Sequence, residues 1–310
     1  MGVSIYDEDT PAKYSCEVCS PKSHTDLIQA KAEGRQLWEE RKVTHEESIT
    51  LEKSKSKPAG NGITFPLTDE CFHYTKKSQV EWDVQKYWRQ RYDIWTRYDE
   101  GEGIYMTNDA WFGVTPEPAA NKVAADLDGF VEKSKSVVID IFAGVGGNAI
   151  AFALSERWSQ VIAIEKDLST IACGQHNAAL YGVADRITWV NDDCFAYMKA
   201  NASWIDHPKT VIFASPPWGG PGYTSDEIFN LNTMAPYSLN QIYEICKGID
   251  CALFLPRSSD LRQIAKLAPE RGERKIEVVT YCMRGAGKAL VAYIPAAQTN
   301  MKHNELILHT

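Results

Sequence analysis

The sequence predicts an α/β fold: a mostly parallel, seven-stranded sheet with helices on both faces, a C-terminal antiparallel hairpin strand and an N-terminal α-helical extension. Two observations predict it. From about residue 136, short apolar runs of strand length alternate with segments of helical periodicity, the pattern of successive βαβ units. The last two runs are separated only by GAG at 285–287, which is too short for a crossover, so the final strand must run antiparallel.

The strands follow from apolar runs that are bounded by polar or turn-forming residues. The first run, SVVIDIFA, is almost wholly apolar, which indicates a strand that is buried on both faces of a parallel sheet. The first leads into a glycine-rich turn and a helix, and the helix after the second is closed by Gly182. The runs are 136–143, 160–166, 186–192, 210–217, 251–256, 275–284 and 288–296.

Four parts are expected along the chain. They are a polar leader over 1–70, an aromatic and basic helical extension over 71–115, the sheet domain over 116–296 and a tail over 297–310. The Lys/Ser run at 52–62 cannot bury an apolar face, so we expect the leader to be partly disordered, with one helix near 25–45.

Composition limits the possible partners. Lys and Arg number 33 against 41 Asp and Glu, and the net charge of -8 argues against a protein that tracks many phosphates by bulk attraction. Any contact with nucleic acid must therefore be local. No run approaches the roughly 18 to 20 apolar residues that span a bilayer, so we expect a soluble protein without a membrane partner.

The eight cysteines sit mostly inside apolar stretches, as reduced core cysteines do, which indicates a reducing compartment. Cys16 and Cys19 form a CxxC that His24 follows. A lone CxxC without a second pair is weak support for zinc, and we expect no metal.

The extension combines aromatic and basic residues. Aromatic rings recur at steps of three to five, which predicts a helix whose rings pack mainly on the next domain. These rings are Trp82, Tyr87, Trp88, Tyr92, Trp95 and Tyr98. Between 76 and 97, six basic residues stand against three acidic ones, so part of this patch is suited to phosphates.

A ligand site is predicted where the first strand ends. Asp140 closes that strand and leads into AGVGGN at 143–148, where glycines allow close backbone approach and the helix N-terminus offers free amide donors. Glu165 ends the second strand, where a carboxylate can accept hydrogen bonds from ribose hydroxyls. Nicotinamide oxidoreductases and adenosylmethionine methyltransferases share this layout, and Ala149, a permitted variant of the dinucleotide motif, leaves the spacing undecided.

Two features favour the methyltransferase. Asp140 is suited to hold an ammonium group, and the C-terminal hairpin is typical of that fold. Asp193, after the third strand, would then lie near the adenine and accept from its N6 amine, unless it is only a solvated loop acid.

The fourth strand runs directly into SPPWGGPGY at 215–223, where ligands of open α/β sheets bind. Two prolines fix the backbone and leave carbonyl acceptors, which suit the amine of a nucleobase. Trp218 can stack on a flat base, and a cationic 7-methylguanine would add a cation-π interaction. The alternative is a core tryptophan in a tight turn.

Five motifs together resemble the trimethylguanosine synthase family of RNA cap guanosine-N2 methyltransferases. They are KYWRQRY (86–92), WFGVTPE (111–117), DIFAGVGGN (140–148), SPPWGGPGY (215–223) and FLPRSSD (254–260), and the likeness covers about residues 75–296. It implies a class I (Rossmann-like) methyltransferase fold with S-adenosyl-L-methionine as cofactor. It also implies conversion of the 7-methylguanosine cap of small nuclear and nucleolar RNAs to the 2,2,7-trimethyl form, a nuclear and often nucleolar location, and RNP proteins as further partners.

The resemblance also implies roles for individual residues. Ser215, Pro216, Pro217 and Trp218 would hold the guanine, with Ser215 also near the cofactor, and Lys86, Tyr223 and Arg257 would meet the cap phosphates. The residues implied to hold the cofactor are Trp95, Thr115, Asp140, Gly144, Gly146, Gly147, Asn148, Glu165 and Asp193.

Three positions depart from the family's usual residues: Glu165 stands for Asp, Trp95 for an aromatic that is often Phe, and Ser258 for Asn.

The expected reaction is direct in-line transfer to guanine N2, performed twice, with the proton lost to solvent because the motif contains no strong base. Two alternatives stay open at this point. One is an amine methyltransferase that acts on adenine N6 or unmodified guanine N2 in structural RNA, and the other is a cap-binding module without chemistry.

Overall fold

The structure is a computed structural model that describes residues 3–6, 63–205, 207–220, 227–269, 274–283 and 285–297. Its centre is one eight-stranded sheet. The strands are β1 (Val3–Tyr6), β2 (Val137–Asp140), β3 (Gln160–Glu165), β4 (Ile187–Asn191), β5 (Thr210–Ala214), β6 (Asp250–Pro256), β7 (Glu277–Met283) and β8 (Ala286–Ile294).

The strand order is β1-β7-β8-β6-β5-β2-β3-β4. All neighbouring strands are parallel except β8, which runs antiparallel to both β6 and β7. The seven predicted strands and the antiparallel hairpin strand are therefore confirmed. The structure adds β1, which pairs with β7 at the edge of the sheet and which the sequence did not predict, because four residues are too few to show a period.

The chain order reverses between β2 and β5, and this reversal determines where the site lies. From β2 the chain continues outward to β3 and β4, whereas β5 lies on the other side of β2 and leads to β6. Asp140, the last residue of β2, pairs with Phe213, the penultimate residue of β5. The loops that leave these two strands therefore start side by side, at the switch point where open α/β sheets bind ligands.

Helices cover both faces of the sheet. They are α1 (Gln85–Trp88), α2 (Arg91–Ile94), α3 (Ala110–Gly113), α4 (Glu117–Phe130), α5 (Gly147–Leu154), α6 (Leu168–Leu180), α7 (Cys194–Asn201), α8 (Leu239–Cys246) and α9 (Leu261–Ala265). Neighbouring residues of β2 belong to different apolar clusters, Val138 to one and Ile139 to the other. Since adjacent strand residues point to opposite faces, the sheet is buried on both sides.

The prediction of a single aromatic helix in the extension is wrong. The segment contains a 3-10 turn at Lys77–Gln79 and the short helices α1, α2 and α3 rather than one long helix. Trp95 already has extended backbone, and Gly103 turns the chain with φ of 81°, so helical periodicity is not sustained. Trp88, Trp95 and Tyr98 are buried, as the packing interpretation expects.

Other predictions for the N-terminal region, including the Cys16, Cys19 and His24 cluster and the helix near 25–45, lie outside the described residues. Within the described ranges, no group of three or more His, Cys, Asp and Glu side chains is arranged to hold a metal ion. No described helix is both long and apolar enough to cross a membrane.

Two tryptophans of the extension differ in how far they are buried. Trp95 is 1% exposed and Trp82 is 81% exposed. Trp95→Ala is expected to lower the free energy of unfolding by about 3 to 5 kcal/mol, because a large ring leaves a cavity. Trp82→Ala serves as the control and is expected to change it by no more than about 0.5 kcal/mol. Urea titration followed by circular dichroism measures both, and equal losses in the two variants would contradict this packing.

Candidate functional site

The glycine-rich turn joins β2 to the N-terminus of α5. Gly146 has a φ of 95° in the left-handed region, and a Cβ there would lie 3.2 Å from the Trp189 ring. A Cβ on Gly147 would lie 3.1 Å from the Thr115 carbonyl oxygen. A side chain would be strained at Gly146 and crowded at Gly147, and the turn brings backbone amides and the helix N-terminus to the carboxyl end of β2.

Asp140 is completely buried at the start of this turn. Its Oδ1 accepts from the backbone N–H of Phe142 at 3.3 Å, and its Oδ2 has no hydrogen-bond partner within the described part of the chain. Burial raises the pKa of Asp140 to about 7, and the nearby negative charge of Glu165 contributes to the rise. A buried carboxylate with an unpaired oxygen is suited to a cationic ligand.

Glu165 fastens the turn to the end of β3. Its Oε2 accepts from the Gly144 N–H at 3.0 Å, and its Oε1 accepts from the Asp167 N–H at 2.9 Å. Burial raises the pKa of this carboxyl as well. Each carboxylate oxygen keeps a second lone pair, so contact with ribose hydroxyls stays a prediction.

Thr115 and Asn148, which were both predicted to hold the cofactor, meet at the same turn. Asn148 Nδ2 donates to Thr115 Oγ1 at 2.9 Å, and both residues are buried. Asn148 Oδ1 is a second buried acceptor that lacks a partner among the described residues. Together with Asp140 Oδ2, it fits a ligand that carries an ammonium group and other N–H or O–H donors, as an amino acid moiety does.

The structure corrects the position of Trp95. This ring was expected to close over the cofactor, but it is 1% exposed, and its indole N–H donates to Met106 Sδ at 3.3 Å. Its centroid lies 5.9 Å from that of Tyr181. Trp95 therefore packs inside the extension and holds it against the sheet domain.

Asp193 has a local role that the sequence did not predict. It is the N-cap of α7, where its Oδ1 accepts from the backbone N–H groups of Phe195 and Ala196 at 3.0 Å each. Its Oδ2 accepts from the Tyr237 hydroxyl at 3.0 Å. These contacts fix the carboxylate at the carboxyl end of β4, and its contact with an adenine stays a prediction.

The predicted substrate loop leaves β5 beside the glycine turn. Ser215 is half-buried, Pro216 is buried and Pro217 is exposed. Trp218 is half-buried and lies parallel to Phe254 of β6, with 6.0 Å between ring centroids and 13° between ring planes. Its indole N–H donates to the Phe254 carbonyl oxygen at 3.3 Å.

The position of Trp218 bears on its role. The ring packs against both apolar clusters, which lie on opposite faces of the sheet, so it sits at the carboxyl end of β5 between the clusters rather than inside either one. A core tryptophan would be buried within one of them. Phe254 fixes the orientation of the indole and leaves part of it accessible.

The three predicted phosphate ligands are not brought together by any described contact. Lys86 is exposed, with its Nζ 5.6 Å from the centroid of the Tyr87 ring. Arg257 is exposed and donates from Nη1 to the Gly287 carbonyl oxygen at 3.2 Å. Tyr223 lies outside the described residues, so a shared phosphate site stays a prediction.

Sequence reasoning missed an aromatic group next to Asp193. The Tyr237 ring lies 4.5 Å from Phe195 and 6.1 Å from Phe142, measured between centroids. Burial raises the pKa of Tyr237, which keeps the hydroxyl protonated as a donor. Tyr237 follows the substrate loop without any recognisable spacing, and no signal in a single sequence could have identified it.

Comparison with known proteins agrees with this geometry. Residues 135–297 match the family model described as RNA cap guanine-N2 methyltransferase. Trimethylguanosine synthase of Schizosaccharomyces pombe is 33% identical over 213 residues, which cover 68% of this chain and 85% of that protein. Trimethylguanosine synthase of Saccharomyces cerevisiae is 32% identical over 187 residues, which cover 58% of this chain and 57% of that protein.

A solved structure also shows the fold. It is provisionally assigned as a methyltransferase from Porphyromonas gingivalis and superposes with a TM-score of 0.51 at 14% identity, covering 69% of this chain and 49% of that one.

The raised pKa of Asp140 predicts a pH dependence of stability. The folded state holds this proton up to pH about 7, and the unfolded state holds it only up to about 3.9. The contribution of Asp140 to the free energy of unfolding is therefore complete below pH about 4 and is lost as pH rises through 7. The full loss is about 4 kcal/mol. Asp140→Asn removes the titration, so its stability relative to the parent protein should rise between pH 4 and 7 and stay level above. Denaturant titrations of both proteins at several pH values measure the difference, and a difference that does not vary with pH contradicts the assignment.

Proposed function

Because the chain belongs to the family of RNA cap guanine-N2 methyltransferases, we propose that it transfers methyl groups from S-adenosylmethionine to N2 of a 7-methylguanosine cap, giving 2,2,7-trimethylguanosine. One observation carries this proposal beyond family membership. A half-buried indole, held against Phe254, stands at the switch point beside a turn whose buried acceptors fit the amino acid end of the cofactor. These two features would bring a planar base and a sulfonium donor to the same end of the sheet, where β2 and β5 lie side by side.

The cofactor is S-adenosylmethionine, which supplies an electrophilic methyl group on a sulfonium centre. The ionised Asp140 carboxylate pairs with its ammonium group, and Asn148 Oδ1 accepts a further hydrogen bond. Glu165, already fixed by the Gly144 N–H, accepts from the ribose. Asp193, held by its helix cap and by Tyr237, accepts from the adenine amine.

The substrate loop acts by positioning. Trp218 stacks on the 7-methylguanine, whose positive charge adds a cation-π interaction. Carbonyl oxygens around Ser215 and Pro216 accept the N2 hydrogens and direct the nitrogen lone pair toward the methyl group. The segment 215–220 contains no Asp, Glu, His or Lys, so the proton released after transfer passes to solvent.

The finer assignments rest on the motif resemblance and on the relatives' names. Residues 116–296 form the catalytic domain and 71–115 its extension. Lys86, Tyr223 and Arg257 contact the cap phosphates. The substrates are small nuclear and nucleolar RNAs, reached in the nucleus or nucleolus within RNP particles.

Mass spectrometry tests the reaction directly. A 7-methylguanosine cap dinucleotide is incubated with the protein and S-adenosylmethionine, and a gain of two methyl groups is expected. An unmethylated cap dinucleotide and an uncapped adenosine-containing RNA serve as controls. Methylation of those controls instead would favour the adenine N6 or unmodified guanine alternative. Binding of the cap dinucleotide without detectable binding of S-adenosylmethionine would favour a cap-binding module.

The stack on Trp218 predicts selective kinetics. Trp218→Ala is expected to lower kcat/KM on the 7-methylated cap by one to two orders of magnitude, which corresponds to about 1 to 3 kcal/mol of lost stacking. Trp218→Phe keeps a ring and should recover part of this loss. Steady-state kinetics with the cap dinucleotide provide the measurement, and full activity of the alanine variant would contradict the role of the indole.

Asp140 also predicts how cofactor affinity depends on pH. The ligand pairs with the ionised carboxylate, so each pH unit below the pKa of about 7 should raise the Kd of S-adenosylmethionine by up to about tenfold. Asp140→Asn should bind more weakly and without this dependence. Calorimetry at pH 5.5, 6.5 and 7.5 tests it, and parallel pH profiles of the two proteins would show that Asp140 is not the titrating group.

A further inference from the structure

The extension contains one short helical stretch that runs beyond α1. Backbone hydrogen bonds join Gln85 to Glu81, Trp88 to Val84 and Arg89 to Gln85, so residues 82–84 form a turn that leads directly into α1 and Arg89 is its C-cap. Positions four and three apart on such a stretch lie on the same face.

The two faces of this stretch differ sharply. Val84 and Trp88 are buried, and Trp88 Nε1 donates to the Tyr74 carbonyl oxygen at 2.9 Å, which fixes the inner face. Trp82, Lys86 and Arg89, at steps of four and three, form the opposite, exposed face, which we name the 82–89 ridge. Trp82 is 81% exposed, the most exposed large apolar side chain among the described residues.

The ridge is positively charged in a protein whose net charge is -8. Lys86 and Arg89 form no ion pair within the described part of the chain, and the exposed Lys76 and Lys77 lie just before it. The two acidic neighbours form hydrogen bonds with other groups rather than with Lys86 or Arg89. Glu81 accepts from Asn108 Nδ2 at 2.6 Å, and Asp83 accepts from the Val84 N–H at 3.0 Å.

The ridge is connected to the cofactor side of the cleft. Tyr87, next to Lys86, makes an edge contact with Phe112 at 5.3 Å between centroids. Phe112 belongs to α3, which ends directly before Val114 and Thr115, and these two residues pack against Gly147 of the glycine turn. Packed side chains therefore join the ridge to the glycine turn.

Given the proposed function, we propose that the 82–89 ridge binds the first single-stranded nucleotides that follow the cap. Trp82 stacks on a base, and Arg89, with the neighbouring lysines, contacts phosphates. An exposed indole beside free cations is the combination that binds single-stranded nucleic acid without sequence preference. This places the RNA-binding charge on the extension and leaves the sheet domain to bind the cap itself.

The test compares a long and a short substrate. The variant is Trp82→Ala with Arg89→Gln, and its matched control is Trp204→Ala with Lys199→Gln, an exposed tryptophan and lysine at the end of α7. For the variant, KM on a capped decanucleotide is expected to rise about five- to tenfold, while kcat/KM on the cap dinucleotide stays within about twofold. The slope of log KM against log salt concentration should fall by about one. The control variant should match the parent protein on both substrates.

Equal effects on both substrates, or none on the decanucleotide, would overturn the ridge and leave the proposed function intact. Absence of methyl transfer by the parent protein would instead defeat the proposed function. In that case, fluorescence anisotropy of a labelled uncapped decanucleotide still tests whether the ridge binds RNA. Weaker binding by the variant alone supports it, and unchanged binding, as a protein-docking surface would give, overturns it.

Discussion

The buried carboxylate of Asp140 is the constraint on which the rest of the site depends. Its Oδ2 is unpaired within the described chain and its pKa is raised to about 7, so the folded protein without ligand contains an unsatisfied acceptor at the end of its central strand. Such a group destabilises the fold unless a ligand neutralises it. The residues around Asp140 hold the glycine turn in place. Glu165 fastens the glycine turn, and Thr115 orients Asn148.

The reversal of chain order explains why a second site adjoins the first. Because β5 lies directly beside β2, its loop emerges next to the glycine turn, whatever its sequence. The sequence of that loop makes its backbone and its tryptophan ring rigid. Pro216 is buried and anchors the loop, and Trp218 is fixed by stacking on Phe254 and by a hydrogen bond to its carbonyl group. A preorganised ring loses little conformational freedom when a base stacks on it.

Sequence reasoning succeeded where a structural property has a local signature. The strands β5 and β6 are almost wholly apolar because both of their faces are buried, and the glycine turn can be recognised because Gly146 has a left-handed φ and a side chain at Gly147 would crowd the Thr115 carbonyl oxygen. It failed where long-range packing decides. Trp95 and Trp82 look alike in a periodic aromatic segment, yet one is in the core and the other on the surface. Nothing near Tyr237 in sequence indicates that its hydroxyl meets Asp193, 44 residues away.

The exposed Trp82 and the buried Trp95 also suit different roles within the extension. Residues 116–296 contain 20 acidic against 17 basic residues, so the sheet domain offers a polyanion no bulk attraction, and a capped RNA would be held there only by specific contacts. A cationic cap base satisfies this condition, because its charge is complementary both to an indole face and to the acidic surroundings. The negatively charged phosphates that follow the cap do not satisfy it, and they require a positively charged surface. In the proposed arrangement the extension would supply that surface, and its position is fixed because Trp88 and Trp95 bury its inner side in the same apolar cluster as the sheet. Selection of the methylated base and attachment of the RNA chain can therefore vary independently.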